Sequence, residues 1–371
     1  MKNLNFKILA EEGQARAGVF ETAHGKVETP VFMPVGTQGT VKGILPRDLT
    51  EMGTSILLGN TYHLYVRPGM EVLKNFGGLH RFMGWDKPIL TDSGGYQVFS
   101  LNKIRKLNEE GVKFNSHVDG AEIFLTPEKV MEIQGIIGSD IAMVFDECPS
   151  STSDRKVIQE AVERTLRWSQ RAKACHKLET QALFGIVQGG VLEDLRKYSL
   201  EKTVEIGFDG YALGGLCVGE NQEDTFRIYR EIIRLMPREY PRYMMGIGTP
   251  MDFIQAIENG ADMFDCVTPT RHGRNGSAFT PTGMVVVRNG RYAMDEKPIQ
   301  ENCGCYACKN FSRGYIRHLL NTEEMLGPIL VSMHNTYFFV RFVAGIRQSI
   351  LNGKFRVFKE DFLRQFDSEQ R

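Results

Sequence analysis

The sequence predicts an α/β protein, a closed parallel (β/α)8 barrel followed by a small C-terminal subdomain. Roughly eight short apolar runs alternate with longer amphipathic stretches, a pattern typical of a parallel sheet covered by helices on both faces. The number of runs favours a closed barrel over the alternative, an open doubly wound sheet. After about residue 270 the composition changes, because basic residues and cysteines accumulate there.

Each apolar run ends at or near Gly, Asp or Gln and has the length of a single strand. The runs are residues 31–35, 55–60, 89–92, 141–146, 184–188, 210–216, 243–248 and 262–267. Between them, the stretch 126–138 opens with Thr-Pro-Glu, a signal for a helix N-terminus. The stretches 154–177 and 221–236 are charged on one side and apolar on the other, as expected for helices on a core.

The length of 371 residues suits one large domain with a small appendage. We expect residues 1–270 to form the barrel that carries the active site. Residues 271–371 are expected to form the subdomain and closing helices packed on the barrel. The stretch 271–318 contains eight Lys/Arg and three Asp/Glu. The last apolar helix is predicted at 336–351.

Charge and hydropathy exclude some classes of function. Basic and acidic residues balance at 45 each, which excludes a uniformly basic nucleic-acid-binding surface but allows a local basic patch. No window approaches the ~18 consecutive apolar residues of a membrane span, and residues 1–13 contain no signal-peptide core. The seven cysteines, an odd number, argue against a full set of disulfides. We therefore expect a cytoplasmic protein with reduced thiols and no membrane segment.

Small and acidic residues accumulate where the predicted strands end. In a parallel barrel all C-terminal strand ends lie on one face, and that face carries the chemistry. Carboxylates and an amide in one cavity suit a flat, donor-rich ligand such as a purine-like base, whereas a phosphate site would need Gly-rich amides and a cation. The strand-end residues are Asp92, Asp146, Gln188, Gly214, Gly215, residues 246–248 and Asp265.

Two carboxylates in one pocket can divide the work of breaking a glycosidic bond. One attacks an electrophilic carbon while the other donates and accepts a proton, and the transition state resembles an oxocarbenium ion. In an alternative explanation, each Asp caps the helix that follows its strand. Three carboxylates and a Gln at successive strand ends favour a site over capping alone.

Three of the cysteines, Cys303, Cys305 and Cys308, have the spacing C-x-C-x2-C. Three thiolates this close in a reduced chain indicate a metal site, and tetrahedral zinc needs a fourth ligand. His318 and His334 both follow, and the spacing does not choose between them. Such a site has no open position, so the zinc would be structural. The alternatives are buried thiols without metal and a redox pair.

Six segments carry a specific combination of motifs, in order, between about residues 31 and 351. They are 91–99 (Thr-Asp-Ser-Gly-Gly-Tyr-Gln-Val-Phe), 145–149 (Phe-Asp-Glu-Cys-Pro), 185–190 (Gly-Ile-Val-Gln-Gly-Gly), 212–216 (Ala-Leu-Gly-Gly-Leu), 263–267 (Met-Phe-Asp-Cys-Val), and the cysteine cluster with His334. This set resembles the signature of tRNA-guanine transglycosylases of the bacterial type.

The resemblance implies a TIM-type (β/α)8 barrel with a C-terminal structural zinc-binding subdomain, in agreement with the residue patterns. It implies one Zn²⁺ per subunit, held by Cys303, Cys305, Cys308 and His334, which leaves His318 as a surface or packing residue. The implied reaction belongs to queuosine biosynthesis. The wobble guanine of tRNAs with a GUN anticodon (Asn, Asp, His and Tyr) is exchanged for the pre-queuosine base, 7-aminomethyl-7-deazaguanine.

The resemblance also assigns roles at the strand ends. Asp265 is the implied nucleophile, and Asp92 the implied proton donor and acceptor. Tyr96 and Met245 are expected to sandwich the base, with packing at the top of the barrel as the alternative. The residues expected to bind the base are Asp92, Ser93, Gly94, Gly95, Tyr96, Asp146, Gln188, Gly215, Leu216 and Met245.

The target base must leave the anticodon stack to reach such a pocket. Thr268 and His272 depart from the family pattern, which bears on the neighbouring anticodon contacts. Val218, beside Cys217, stands where the eukaryotic catalytic subunit has Gly, so its bulk favours the pre-queuosine base over the larger queuine. The residues expected to contact the tRNA are Gly246, Ile247, Gly248, Thr249, Pro250, Met251, Asp252, Thr270, Arg271, His272, Gly273 and Arg274.

Several other functions remain open from the sequence. One is a queuine-inserting enzyme of the same family, and another is a non-catalytic tRNA-binding subunit, against which the presence of Asp92 and Asp265 argues. An archaeal-type enzyme would need a further RNA-binding domain, and a barrel glycosidase would act on small sugars. The family implies a homodimer with the zinc subdomain at the interface, where the candidate contacts are Tyr306, Phe311 and Tyr315.

Overall fold

The computed structural model describes residues 4–101, 105–216 and 218–367, so Cys217 lies outside the described residues. Its strands, in chain order, are β1 (Lys7–Glu12), β2 (Ala15–Thr22), β3 (Gly25–Thr29), β4 (Val31–Gly36), β5 (Leu57–Asn60), β6 (Ile89–Asp92), β7 (Arg105–Leu107), β8 (Val112–Asn115), β9 (Glu122–Leu125), β10 (Ile141–Met143), β11 (Ala182–Val187), β12 (Gly210–Leu213), β13 (Arg242–Met244), β14 (Met263–Cys266), β15 (Ser277–Thr280) and β16 (Gly283–Val286).

The helices surround these strands, and two short 3-10 turns lie at Ile233–Leu235 and Gly290–Tyr292. The α-helices are α1 (Pro46–Met52), α2 (Thr61–Val66), α3 (Met70–Phe76), α4 (Leu79–Met83), α5 (Gly95–Leu101), α6 (Pro127–Ile137), α7 (Arg155–Cys175), α8 (Glu193–Ile206), α9 (Gln222–Ile232), α10 (Pro250–Glu258), α11 (Thr268–Arg274), α12 (Tyr306–Asn310), α13 (Arg313–Asn321), α14 (Leu326–Leu351) and α15 (Phe355–Asp367).

Eight parallel strands of the described chain close into a barrel, in the order β4-β5-β6-β10-β11-β12-β13-β14, and β14 pairs with β4. Each predicted apolar run overlaps one of them, so the (β/α)8 prediction is confirmed. The runs read as apolar because most barrel-strand residues are buried, in β11 all six. The register places Asn60 at the end of β5 opposite Asp92 at the end of β6, so two polar side chains meet on one face.

The predicted helices at 126–138, 154–177 and 221–236 are confirmed as α6, α7 and α9. Helix α6 shows why the local sequence suffices. Thr126 caps its first turn by accepting a hydrogen bond from the Lys129 N–H at 3.2 Å, and Pro127 pre-sets the first helical residue. Gly138 ends the helix in the left-handed conformation, which glycine adopts without steric strain.

Helix α14 begins at Leu326, ten residues before the predicted start at 336. An 18-residue window in it has a mean hydropathy of 1.3, apolar and long enough for a membrane span by composition alone, but 72% of that window is buried inside the protein. The helix packs on β4 and α11. It is therefore a core helix. The sequence analysis missed its first half because polar residues such as His334 and Asn335 interrupt the apolar pattern there, although they are buried.

The described residues also form three smaller antiparallel units, which were not predicted. The sheet β1-β2-β3 covers the end of the barrel where the strands begin, because the buried Arg16 of β2 pairs with Asp262, just before β14. The sheet β7-β8-β9 follows α5, and the hairpin β15-β16 follows α11. The opposite end of the barrel, where the strands finish, is left for the site.

Candidate active site and metal centre

A cavity of about 450 Å³ lies at the C-terminal ends of the barrel strands. It brings together most of the residues predicted to bind the base and two of those predicted to contact RNA. Asn60, His63, Cys148 and Tyr243 also line it, and the sequence analysis did not assign these residues to the site. The predicted residues that line it are Asp92, Ser93, Gly94, Gly95, Tyr96, Asp146, Gly215, Leu216, Val218, Met245, Gly246, Asp265, Thr268 and Arg271.

Asp92 ends strand β6 and is held by residues at the end of the neighbouring strand. Asn60 Nδ2 donates to its Oδ2 at 2.7 Å, and the Thr61 N–H donates to Oδ1 at 3.3 Å. Burial, together with the nearby charge of Asp265, raises the pKa of Asp92 to about 7 despite these donors. At neutral pH this carboxyl is therefore poised between its protonated and ionised forms.

Asp265, in strand β14, faces the same cavity with different partners. Its Oδ1 accepts a hydrogen bond from the Tyr243 hydroxyl at 2.6 Å and another from the Gly246 N–H at 2.8 Å. Burial raises the pKa of Asp265 above its ordinary value, and both donors oppose that rise by stabilising the carboxylate. The two donors thus favour the ionised form of Asp265, whereas the charge of Asp265 favours the protonated form of Asp92, a division of roles set by environment.

Asp146 forms a third acidic position in the cavity. Ser93 Oγ donates to its Oδ1 at 3.0 Å and Gln188 Nε2 to its Oδ2 at 2.6 Å, while burial raises its pKa. Gln188 itself is only 2% exposed and lies behind Asp146, so it does not line the cavity. A Cβ at Gly95 would lie 2.4 Å from Asp146 Oδ1, so only glycine lets the backbone approach this carboxylate.

Helix capping does not explain these carboxylates. The helix after Asp265 begins at Thr268 with Val267 at its N-cap, and the helix after Asp146 begins only at Arg155. Asp92 contacts the first N–H of α2, which precedes it in the chain, and Asn60 is the N-cap of that helix. The capping alternative is therefore wrong for Asp146 and Asp265.

Each of the two segments predicted to contact RNA contains both exposed and buried residues. Gly246 and Arg271 line the cavity, whereas Thr270 and Gly273 are buried. A Cβ at Gly273 would lie 2.5 Å from Ser332 Oγ, so this glycine lets α11 pack closely on α14.

Several of the remaining residues of these segments have local structural partners. Thr249 and Asp252 form a reciprocal capping box at the start of α10, and Ile247 and Pro250 beside them are buried. The His272 ring packs edge-on against Phe279 with centroids 5.3 Å apart. The Arg274 Nε–H donates to the Thr270 carbonyl at 3.2 Å, and Met251 and Gly248 are partly exposed.

Cys303, Cys305, Cys308 and His334 converge as a group that could bind a metal ion, their ligand atoms all lying within 4.8 Å of one another. The three Sγ atoms lie 3.7, 3.6 and 3.3 Å from His334 Nδ1. Tetrahedral zinc with Zn–S of about 2.3 Å and Zn–N of about 2.0–2.1 Å places sulfur and nitrogen about 3.6 Å apart, so these residues fit zinc.

The second nitrogen of His334 supports this assignment. His334 Nε2 bonds the Phe279 carbonyl at 2.8 Å, which fixes the ring and leaves Nδ1 free to act as a ligand. His318, the other candidate, is exposed on α13 and lies outside the cluster.

A second group of possible ligands, His24, His80 and Asp140, lies at the other end of the barrel. The two imidazole rings stack with centroids 3.6 Å apart and planes 14° apart. An imidazole binds a metal in its ring plane, and two stacked, nearly parallel planes do not share such a position. Although burial raises the pKa of Asp140, hydrogen bonds from His80, the Ile89 N–H and His24 lower it to about 2. We interpret this group as a contact joining the N-terminal sheet to the barrel.

A closed (β/α)8 barrel with paired carboxylates at its C-terminal face, followed by a Cys3His cluster, defines a barrel enzyme with an appended metal-binding region. The family model described as Queuine tRNA-ribosyltransferase matches residues 11–368. A curated Queuine tRNA-ribosyltransferase of Fusobacterium nucleatum subsp. nucleatum is 51% identical over 369 residues, 99% of each chain.

Two further relatives carry the same name. The protein of Caldanaerobacter subterraneus subsp. tengcongensis is 49% identical, over 99% of this chain and 98% of that one. The protein of Acinetobacter baylyi is 51% identical, over 97% and 94% respectively. The chain therefore belongs to the queuine tRNA-ribosyltransferase family and is a transferase, which confirms the resemblance seen in the sequence.

Proposed function

We propose that this chain is a tRNA-guanine transglycosylase that replaces the wobble guanine of GUN-anticodon tRNAs with 7-aminomethyl-7-deazaguanine, in queuosine biosynthesis. The observation that carries the proposal is the pair Asp92 and Asp265. The two carboxyls line one cavity, and their different partners favour the protonated form of Asp92 and the ionised form of Asp265.

In the first step, Asp265 acts as the nucleophile. One of its oxygens forms a bond to the anomeric carbon of the wobble nucleotide while the bond to guanine breaks. The electron pair of the broken bond stays on the guanine nitrogen, and protonated Asp92 supplies a proton to the departing base. The pKa of about 7 at Asp92 suits this task, because the acid is still substantially protonated at neutral pH.

In the second step Asp92 acts as the base and Asp265 as the leaving group. Ionised Asp92 takes a proton from the ring nitrogen of the incoming base, which attacks the anomeric carbon and releases Asp265. Two displacements give net retention of configuration. The Tyr243 hydroxyl and the Gly246 N–H stabilise the Asp265 anion when it leaves.

The floor of the cavity offers acceptors and donors to one base edge. We assign Asp146 to the N–H groups of the base, the Gly215 N–H to its carbonyl, and the Leu216 carbonyl to the aminomethyl group. Gln188 then acts by holding Asp146 from behind. Tyr96, 49% exposed, and Met245 line the cavity where they can cover the two faces of the ring.

Val218 lines the same cavity, and its position there favours the pre-queuosine base over queuine as the incoming substrate. A β-branched side chain there narrows the space that the larger queuine would need. Insertion of queuine is the second candidate, and a competition between the two bases on one tRNA distinguishes them.

We propose that the Cys3His cluster holds one structural Zn²⁺, which links the segment 303–308 to His334 on α14. Zinc at this site serves the fold, since three thiolates and an imidazole leave no position for substrate. We keep residues 1–270 as the barrel domain and 271–371 as the zinc subdomain with closing helices. Support comes from the barrel strands, which end at Cys266, and from α14, which packs on both parts.

A homodimer is supported by exposed aromatic residues beside the metal cluster. Tyr306 and Tyr315 are 57% and 42% exposed, and the Phe311 ring stacks on Tyr315 with centroids 5.5 Å apart. We further propose a cytoplasmic location without a membrane segment, where tRNA is available and the cluster thiols stay reduced. Arg271, at the cavity rim, is our first candidate for a contact with the phosphates beside the target base.

Incorporation of radiolabelled guanine into a GUN-anticodon tRNA tests the proposal. We expect exchange by the wild type and none by Asp265→Asn. Asp194→Asn is the matched control, because Asp194 is exposed on α8, pairs with the exposed Arg155 and does not line the cavity. Exchange by Asp265→Asn at the wild-type rate would contradict the assignment of Asp265 as the nucleophile. Absence of exchange by folded, zinc-loaded wild type would contradict the proposed function.

A further inference from the structure

Arg196, on α8, is completely buried behind the base-binding floor, 0% exposed. Its guanidinium donates four hydrogen bonds, all to backbone carbonyls. Nε bonds the Gly190 carbonyl at 2.8 Å, Nη1 bonds those of Val187 and Gly214 at 2.7 and 2.6 Å, and Nη2 bonds that of Gly215 at 3.1 Å. Although burial lowers its pKa to about 10, the side chain stays a cation at neutral pH.

These carbonyls lie at the end of strand β11 and in the loops that follow β11 and β12 at the candidate site. Val187 and Gly190 flank Gln188, which holds Asp146, and Gly214 and Gly215 follow strand β12. Gly215 has a φ of +64°, and a Cβ there would lie 2.1 Å from Gln188 Oε1, so the two loops are in direct contact. The Arg196 guanidinium therefore sets the position of the loop that holds Asp146, the hydrogen-bond acceptor for the base, relative to the loop that carries the Gly215 N–H, the donor.

The peptide unit between Gly214 and Gly215 is affected most directly. Its carbonyl oxygen accepts the 2.6 Å bond from Arg196, and its nitrogen is the Gly215 N–H. Among the described residues none accepts a hydrogen bond from this N–H, and Gly215 lines the cavity. A charge-assisted bond to a carbonyl polarises the whole amide and strengthens its N–H as a donor, more so in a buried environment.

We propose that Arg196 is a positioning residue that aims and polarises the Gly214–Gly215 amide so that it selects a base with a carbonyl at that edge. The inference rests on the function proposed above and deepens it. A donor N–H binds the carbonyl of guanine and rejects an amino group at the same place, since two donors would then face each other. Arg196 itself touches no substrate.

The test is Arg196→Lys, which keeps the charge but loses the fork that reaches four carbonyls. We expect the KM for guanine to rise about 10- to 100-fold, as for the loss of a hydrogen bond to a charged group, with kcat within a few-fold of wild type. The KM for tRNA should not change. Arg242→Lys is the matched control, because Arg242 is also buried, donates to the Met236 carbonyl at 2.6 Å and lies at the far end of the barrel.

A second measurement separates positioning from general weakening of the fold. Binding of guanine and of 2,6-diaminopurine, which has an amino group in place of the carbonyl, is compared by calorimetry in wild type and Arg196→Lys. We expect the preference for guanine to fall in the variant and to stay unchanged in Arg242→Lys.

The outcomes distinguish this inference from the function. Equal loss of affinity for both bases, or an unchanged KM for guanine in folded Arg196→Lys, overturns the role of Arg196 while wild-type exchange still supports the function. If Arg196→Lys does not fold, Arg196→Gln is compared by the same two binding measurements, and an unchanged preference for guanine overturns the role. Absence of exchange by wild type would remove the function on which the inference rests.

Discussion

Removal of the Tyr243 hydroxyl is the sharpest test of how the site stabilises the carboxylate form of Asp265 against the effect of burial. Tyr243→Phe deletes the 2.6 Å hydrogen bond to Asp265 Oδ1 and leaves the ring in place. Burial and the charge of Asp265 raise the pKa of Tyr243 well above 10, so in the wild type the hydroxyl remains a donor at every working pH. In the variant the Gly246 N–H remains as the donor to that oxygen among the described residues.

The expected size follows from the kind of bond that is lost. A hydrogen bond to a charged group contributes about 1.5–3 kcal/mol, which corresponds to about 1–2 units in the pKa of the acceptor. The pKa of Asp265 therefore rises, and less of the nucleophile is ionised at a given pH. On the acid side of the pH profile, we expect kcat/KM to fall about 10- to 100-fold.

The assay is guanine exchange measured from pH 5 to pH 9, roughly the working range in which His and perturbed carboxyls titrate. In Tyr243→Phe we expect the ascending limb of the profile to shift to higher pH by about 1–2 pH units. Tyr211→Phe is the control, because that buried hydroxyl accepts from the Phe208 N–H at 3.3 Å and does not line the cavity. An ascending limb at the same pH in Tyr243→Phe and wild type would show that this bond does not tune the nucleophile.

Three further outcomes are expected. Asp92 must be protonated to release guanine, and its pKa is about 7, so the single-turnover rate of guanine release should decline as pH rises through 7. Asp92→Asn should lower this rate about 10²- to 10⁴-fold and remove its decline with pH. Gly95→Ala should weaken guanine binding in calorimetry at least about tenfold, because the added Cβ would collide with Asp146 Oδ1, whereas Gly290→Ala, which meets no atom within 4 Å, should bind normally. Cys308→Ser should lose zinc in metal analysis and unfold at a lower temperature, and full zinc content in that variant would contradict the ligand set.

The barrel could be predicted because its strands are buried on both faces and therefore read as continuous apolar runs. The antiparallel sheets could not, since β1 alternates between exposed and half-buried positions and carries little hydrophobic signal. The first half of α14 was missed for a different reason. Its polar residues are buried because they form hydrogen bonds with neighbouring segments. The Asn335 side chain, for example, accepts from the Phe279 N–H and donates to the carbonyls of Pro269 and Ser277.

The carboxylates of the site could be predicted because acidic residues at strand ends are conspicuous. Asn60 carries the same signal as Asp92, a polar residue at the end of an apolar run, and could have been found by it. Tyr243 carries no such signal, because an aromatic residue in an apolar strand reads as core. Arg196 lies in a helix sequence with many charges, and its burial depends on loops distant in the chain.

The covalent bond between Asp265 and RNA is the step on which the proposed chemistry depends. The most direct measurement incubates the protein with a GUN-anticodon tRNA, denatures it rapidly, and maps any attached nucleotide by mass spectrometry of the peptides. We predict an adduct on the peptide that contains Asp265 in wild type, its disappearance when excess guanine is added, and none in Asp265→Asn. An adduct on another residue, or the same adduct yield in Asp265→Asn, would contradict the assignment of Asp265 as the nucleophile.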